Sequence, residues 1–137
     1  MKKRFTFILT VIMTVSMLFG SALPASAIEA RLVNGNDAAV AFTIDEATGI
    51  AHFSVEYSGK EATFTYAKVS VKVQKRSLWF LWTDVDTWSS TCTEIDGYFY
   101  TYFVLDGPGT YKASYTLEFY GTGTEVDVIE NSTTDSY

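Results

Sequence analysis

The chain has 137 residues, with 16 acidic against 10 basic side chains, one histidine and one cysteine. A formal net charge of −6 disfavours nucleic acid and anionic membrane surfaces, both of which attract cations. A single cysteine permits no internal disulfide, and the length suits one domain rather than several.

The first 27 residues carry the order of a secretory signal peptide: basic Lys2-Lys3-Arg4, an apolar run over 5–20, Pro24, then Ala25-Ser26-Ala27. An uncleaved membrane anchor is the competing reading, but the apolar run is shorter than the ~20 residues a span requires. Cleavage after Ala27 leaves residues 28–137 as one domain, with seven Lys and Arg against sixteen Asp and Glu, a net of −9. Cys92 lies far from that cleavage point and is not the lipid-bearing first residue of a lipoprotein. The expected destination is outside the cell, secreted or cell-wall associated, with no stable membrane insertion after cleavage.

Residues 28–33 read as a lead-in or short edge strand, and Asn34-Gly35-Asn36-Asp37 as a turn. Residues 39–44 and 50–57 form a predicted hairpin across Asp45 to Gly49; in its second strand Ala51, Phe53, Val55 and Tyr57 share one face. After a turn over 58–62 comes the most regular stretch, 63–74. There Val69, Val71 and Val73 alternate with Lys68, Ser70, Lys72 and Gln74, the period of a half-buried strand. Lys75, Arg76 and Ser77 interrupt it, and the segment 78–91 follows as a second strand with ambiguous facing. Trp82, Asp84, Asp86 and Trp88 fall on one side, Thr83, Val85 and Thr87 on the other. Either Val85 points inward and the tryptophans outward, or a bulge resets the alternation.

Beyond Glu94 to Gly97, the segment 98–105 puts Phe99, Phe103 and Leu105 on one face and Tyr98, Tyr100 and Tyr102 on the other. Asp106-Gly107-Pro108-Gly109 is a strong turn signal, leading into a strand over 111–119. Residues 124–129 close the domain as a last strand, and the tail from Glu130 is expected to fray. Seven short strands separated by turn signals predict an all-β fold, an antiparallel immunoglobulin-like β-sandwich, with a small barrel as the alternative. The Gly109-Thr110-Tyr111 step resembles the Gly-x-Tyr that opens the sixth strand of immunoglobulin-like domains. Ala113 stands where their cysteine would be, so the disulfide version of that fold is excluded.

Together, Val71-Lys72-Val73-Gln74-Lys75-Arg76, Trp82-Thr83-Asp84-Val85-Asp86-Thr87-Trp88 and Gly109-Thr110-Tyr111-Lys112 resemble a group of small secreted single-domain β-sandwich proteins of Gram-positive bacteria. The resemblance spans most of the chain after the leader. It implies location and fold, and supplies no catalytic residue.

The residues for familiar chemistries are sparse. His52 is the only histidine and lies mid-strand without a nucleophile motif beside it. One His and one Cys make a poor zinc or copper set. Asp84 with Asp86, and Glu125 with Asp127, offer oxygen ligands to calcium, but no twelve-residue EF-hand pattern is present and such pairs ordinarily keep a strand face wet. Carboxylates suit a glycosidase only as a fixed pair, and no pair stands out. Asn131-Ser132-Thr133 fits a glycosylation acceptor and is read as accidental in an exported bacterial tail. No enzyme, metal or cofactor is therefore predicted. The positive signal is aromatic: Trp82, Trp88, Tyr98, Tyr100 and Tyr102 as an outward binding surface for a cell-wall or host glycan. The alternatives are a surface protein held through a strand edge and, last, a carboxylate-based hydrolase.

Overall fold

The computed structural model describes residues Leu32–Tyr137. The predicted leader, 1–27, and the start of the predicted lead-in, 28–31, lie outside the described residues. Seven strands follow one another: β1 (Gly35–Asp45), β2 (Ile50–Gly59), β3 (Phe64–Ser77), β4 (Leu81–Cys92), β5 (Asp96–Val104), β6 (Thr110–Gly121) and β7 (Val126–Ser136). They form a three-stranded sheet in the order β1-β2-β5 and a four-stranded sheet in the order β4-β3-β6-β7. Every pairing is antiparallel.

The period-two pattern decides which faces meet. Ala51, Phe53, Val55, Tyr57, Phe99 and Phe103 from the smaller sheet pack against Val69, Val71, Val73, Tyr111, Leu117 and Phe119 from the larger one, all buried. Alternate strand residues point to opposite faces, so the same pattern that fills the core leaves Lys, Ser, Thr and Tyr on the two outer faces. At one end of the core Tyr57 is the hub, its ring 5.5 Å from Phe99, 5.6 Å from Phe119 and 5.9 Å from Phe64. Its hydroxyl donates to the carbonyl of Glu94 at 2.7 Å. Burial, then the neighbouring Cys92 thiol, raise its pKa well above the ordinary 10.0. Gly97 stands opposite Tyr57 in the β2–β5 ladder, and a methyl group there would lie 2.2 Å from the tyrosine oxygen. At the other end the Tyr111 hydroxyl donates to the carbonyl of Gly107 at 2.6 Å, tying the β5–β6 loop to the start of β6.

Three expectations need correction. Lys75, Arg76 and Ser77 do not interrupt β3; they continue it, opposite Thr83, Trp82 and Leu81. The tail does not fray, because residues 130–136 pair with Thr110 to Thr116 along the edge of β6. Tyr137 then exchanges backbone hydrogen bonds with Gly109 and stacks near Tyr111. Gly35 to Asp37 belong to a strand, not a turn, although the register against β2 shifts there.

The reason for that last difference lies far along the chain. Asp127, read as one of two wet carboxylates, is only 6% exposed. It accepts three backbone N–H groups, from Val33 (2.8 Å), Asn34 (2.6 Å) and Gly35 (2.9 Å). The buried Asn34 side chain donates in turn to the carbonyls of Phe119 (3.2 Å) and Glu125 (2.8 Å). Residues 33–35 are thereby clamped across the sandwich to β6 and β7, and no donor of that segment is stranded.

Candidate functional site

The β3–β4 ladder resolves the facing of the tryptophan segment. Val71 pairs with Trp88, Lys72 with Thr87 and Val73 with Asp86, but the next pair is Gln74 with Asp84, so Val85 is an extra residue. A bulge of this kind resets the alternation on one strand only. Trp88 therefore shares the inner face with Val71 and meets Phe99 edge-on at 6.4 Å. Trp82 lies opposite Arg76 on the outer face, with the Lys112 ammonium 4.4 Å from the centre of its ring. The two tryptophans and two aspartates do not form one surface: Trp88 packs against the core and Trp82 against the outside of the four-stranded sheet.

Tyr98, Tyr100 and Tyr102 are 62%, 48% and 59% exposed along β5, on the outer face of the other sheet. They stand opposite Glu56, Ser54 and His52. The Tyr100 hydroxyl and His52 Nδ1 are 2.7 Å apart, with the two rings roughly parallel. The tyrosine strip and Trp82 thus occupy opposite sides of the molecule, and the five residues singled out from the sequence are not brought together.

What the topology does bring together is a set of hydroxyls. The outer positions of β4, β3, β6 and β7 contribute Thr87, Ser89, Ser70, Ser114, Thr116 and Ser132 to an open trough of about 1020 Å³, bordered by Lys72, Gln74 and Glu130. Small side chains in the middle of a twisted sheet leave such a concavity. Asp84 accepts from Gln74 Nε2 at 2.7 Å and lies 3.9 Å from Lys72 Nζ, so one end of the trough carries an ordered polar group. Trp82 and Lys112 sit just beyond that end, since Lys112 is the ladder partner of Gln74. The hydroxyls are legible one strand at a time as the polar half of each alternation; only the strand order collects them.

Among the described residues the β3–β4 turn is the most exposed apolar feature. Leu78, Trp79 and Phe80 are 73%, 86% and 76% exposed, and Leu81 adjoins them. Leu78 has φ 56°, and among the described residues it is the sole non-glycine in the left-handed region. A branched side chain there costs roughly 1–2 kcal/mol relative to ordinary backbone. Arg76 holds the turn in place, its Nε and Nη2 donating to the carbonyl of Trp79 at 3.1 and 2.9 Å.

Among the described residues no three His, Cys, Asp or Glu side chains are grouped as a metal site would need. Compared with known protein families, curated proteins and solved structures, the chain matches none.

Proposed function

We propose that the chain is an exported, non-catalytic binding module that holds a glycan in the trough of the four-stranded sheet. The observation that carries this reading is the trough itself: six hydroxyls on four adjacent strands, with the Gln74 amide, the Lys72 ammonium and the Glu130 carboxylate at its border and an indole beyond one end. Serine and threonine hydroxyls both donate and accept, which suits the hydroxyl-covered rim of a sugar, while Trp82 offers an apolar ring for a sugar face. A concave, mostly preformed surface also limits what binding must order.

Export rests on the order of residues 1–27 and on the strongly acidic remainder, which favours solubility. An immunoglobulin-like assignment is supported by the sheet orders β1-β2-β5 and β4-β3-β6-β7 and by the Tyr111 hydroxyl returning to the backbone upstream of the sixth strand. The likeness to secreted sandwich proteins of Gram-positive bacteria agrees with both. A hydrolase is not favoured. Glu130 borders the trough and Asp84 lies just beyond it on the opposite edge strand, three strand spacings of ~4.8 Å across and several residues along, so more than about 14 Å apart; glycosidase pairs work at roughly 5–9.5 Å.

Isothermal titration with soluble cell-wall and plant oligosaccharides tests the proposal. Heat is expected with at least one class, with affinity reduced about tenfold in Trp82→Ala and unchanged in Tyr100→Ala. A second reading, contact with a surface protein, draws on Tyr98, Tyr100 and Tyr102 lining an edge strand. It predicts the reverse sensitivity of the two variants in cross-linking to a partner.

A further inference from the structure

We propose that the Leu78–Leu81 turn is an interfacial anchor for an anionic lipid bilayer, independent of any glycan in the trough. Four consecutive apolar residues lie at the tip of the β3–β4 hairpin; Leu78, Trp79 and Phe80 stand clear of the sheet and are more than two-thirds exposed, and Leu81 opens β4. Scattered apolar residues on a surface need no explanation, but a contiguous projecting group does. Leucine, tryptophan and phenylalanine are the side chains that settle at the boundary between headgroups and acyl chains.

Two further observations point to a lipid surface. The first is the backbone. Leu78 holds a conformation that glycine or asparagine adopts with less strain, so an apolar side chain is kept at a position where foldability alone favours another residue. The second is charge. The described chain carries six cations against fifteen carboxylates, yet four of the six, Lys72, Lys75, Arg76 and Lys112, lie on the end of β3 and on the adjacent start of β6. Arg76 is bonded to the tip itself. Of the carboxylates on the same end of the sheet, Asp84 is engaged by Lys72 and Gln74, and an Asp135 oxygen accepts the backbone N–H of Ile44. Asp106 is the third, and Lys75 binds its backbone carbonyl; the fourth, Asp86, is exposed opposite Val73 and accepts the backbone N–H of Thr87 at 2.8 Å. The overall net charge, which argues against an anionic membrane, thus conceals a local cluster of cations beside this apolar tip. Apolar tip and flanking Lys and Arg together are the two signals that reversible attachment to an anionic bilayer requires.

The test is co-sedimentation of the protein recovered from the medium of an exporting host with vesicles of phosphatidylcholine, with and without phosphatidylglycerol. The comparison protein is the Trp79→Ser/Phe80→Ser double variant, whose folding is checked by its thermal transition. The tip is exposed, so that variant is expected to unfold with the same transition as the parent. The parent is expected to partition onto phosphatidylglycerol vesicles with a blue shift of tryptophan emission, less onto phosphatidylcholine alone, and less at high salt. The double variant is expected to lose about tenfold or more of that partition. Equal partition of parent and variant, or none by either, overturns the proposal. So does association of the parent with itself or with a protein, without vesicle binding, that the double variant abolishes. Glycan titration of the double variant separates the two proposals, since it leaves the trough intact.

Discussion

Asp127→Ala is the sharpest test of how the sandwich is closed. The carboxylate accepts three backbone donors, and its removal leaves them without partners. Val33 is exposed and its N–H turns to water, whereas Asn34 and Gly35 are buried. A buried donor left unmet costs about 1–3 kcal/mol, so two of them, with some relaxation, give a loss of roughly 4 kcal/mol. The secondary effect is on Asn34, whose side chain reaches Phe119 and Glu125 only while its backbone is held. At a urea dependence of ~2 kcal/mol per molar, the unfolding midpoint is expected to fall by about 2 M. Asp127→Asn keeps one acceptor but turns an amide toward a donor, so about half that loss is expected. Urea unfolding followed by far-ultraviolet circular dichroism reads both. A loss below ~1 kcal/mol in the alanine variant would show that the segment is held by something other than this carboxylate.

Gly97→Ala puts a methyl group against the buried Tyr57 ring and is expected to cost roughly 2–3 kcal/mol by overpacking, read as a fall in the urea midpoint; an unchanged midpoint refutes the contact. Leu78→Asn relieves the left-handed leucine and is expected to raise the melting temperature by roughly 2–4 °C; a lower melting temperature would contradict the strain. Tyr57 and Tyr111 both ionise above 10.0 when folded, burial being the main cause and Lys75 partly opposing it at Tyr111. Their raised values favour the folded state fully below pH 10, and that contribution is lost as pH rises beyond it. Alkaline titration followed by tyrosinate absorbance should therefore show a late, cooperative fraction of the nine tyrosines ionising together with loss of near-ultraviolet dichroism, and a single non-cooperative titration would contradict it.

The core was legible because its strands keep strict alternation. Val69, Val71 and Val73 report their facing without reference to any neighbour, as do Phe53, Val55 and Tyr57, and all of them are buried. The seven strands, two sheets and absence of helix among the described residues follow from that periodicity. What escaped depends on partners distant in the chain. The bulge at Val85 is defined by the ladder to β3, so the opposite facing of Trp82 and Trp88 is invisible in their own segment. Asp127 alternates with Val126 and Val128 like any exposed carboxylate, and its donors are more than 90 residues away. Residues 130–136 are polar throughout and read as a frayed end, yet backbone pairing to β6 asks nothing of their side chains. The trough is the same case: each serine or threonine is unremarked in its own strand, and the order β4-β3-β6-β7 makes them neighbours.

The most direct test of the binding account is residue-by-residue mapping by nuclear magnetic resonance during titration with soluble oligosaccharides. The account predicts saturable amide shifts centred on Ser70, Lys72, Thr87, Ser114 and Thr116, extending to the Trp82 indole and leaving Tyr98, Tyr100 and Tyr102 unmoved. Shifts confined to the tyrosine strip, or none with any oligosaccharide, would contradict it.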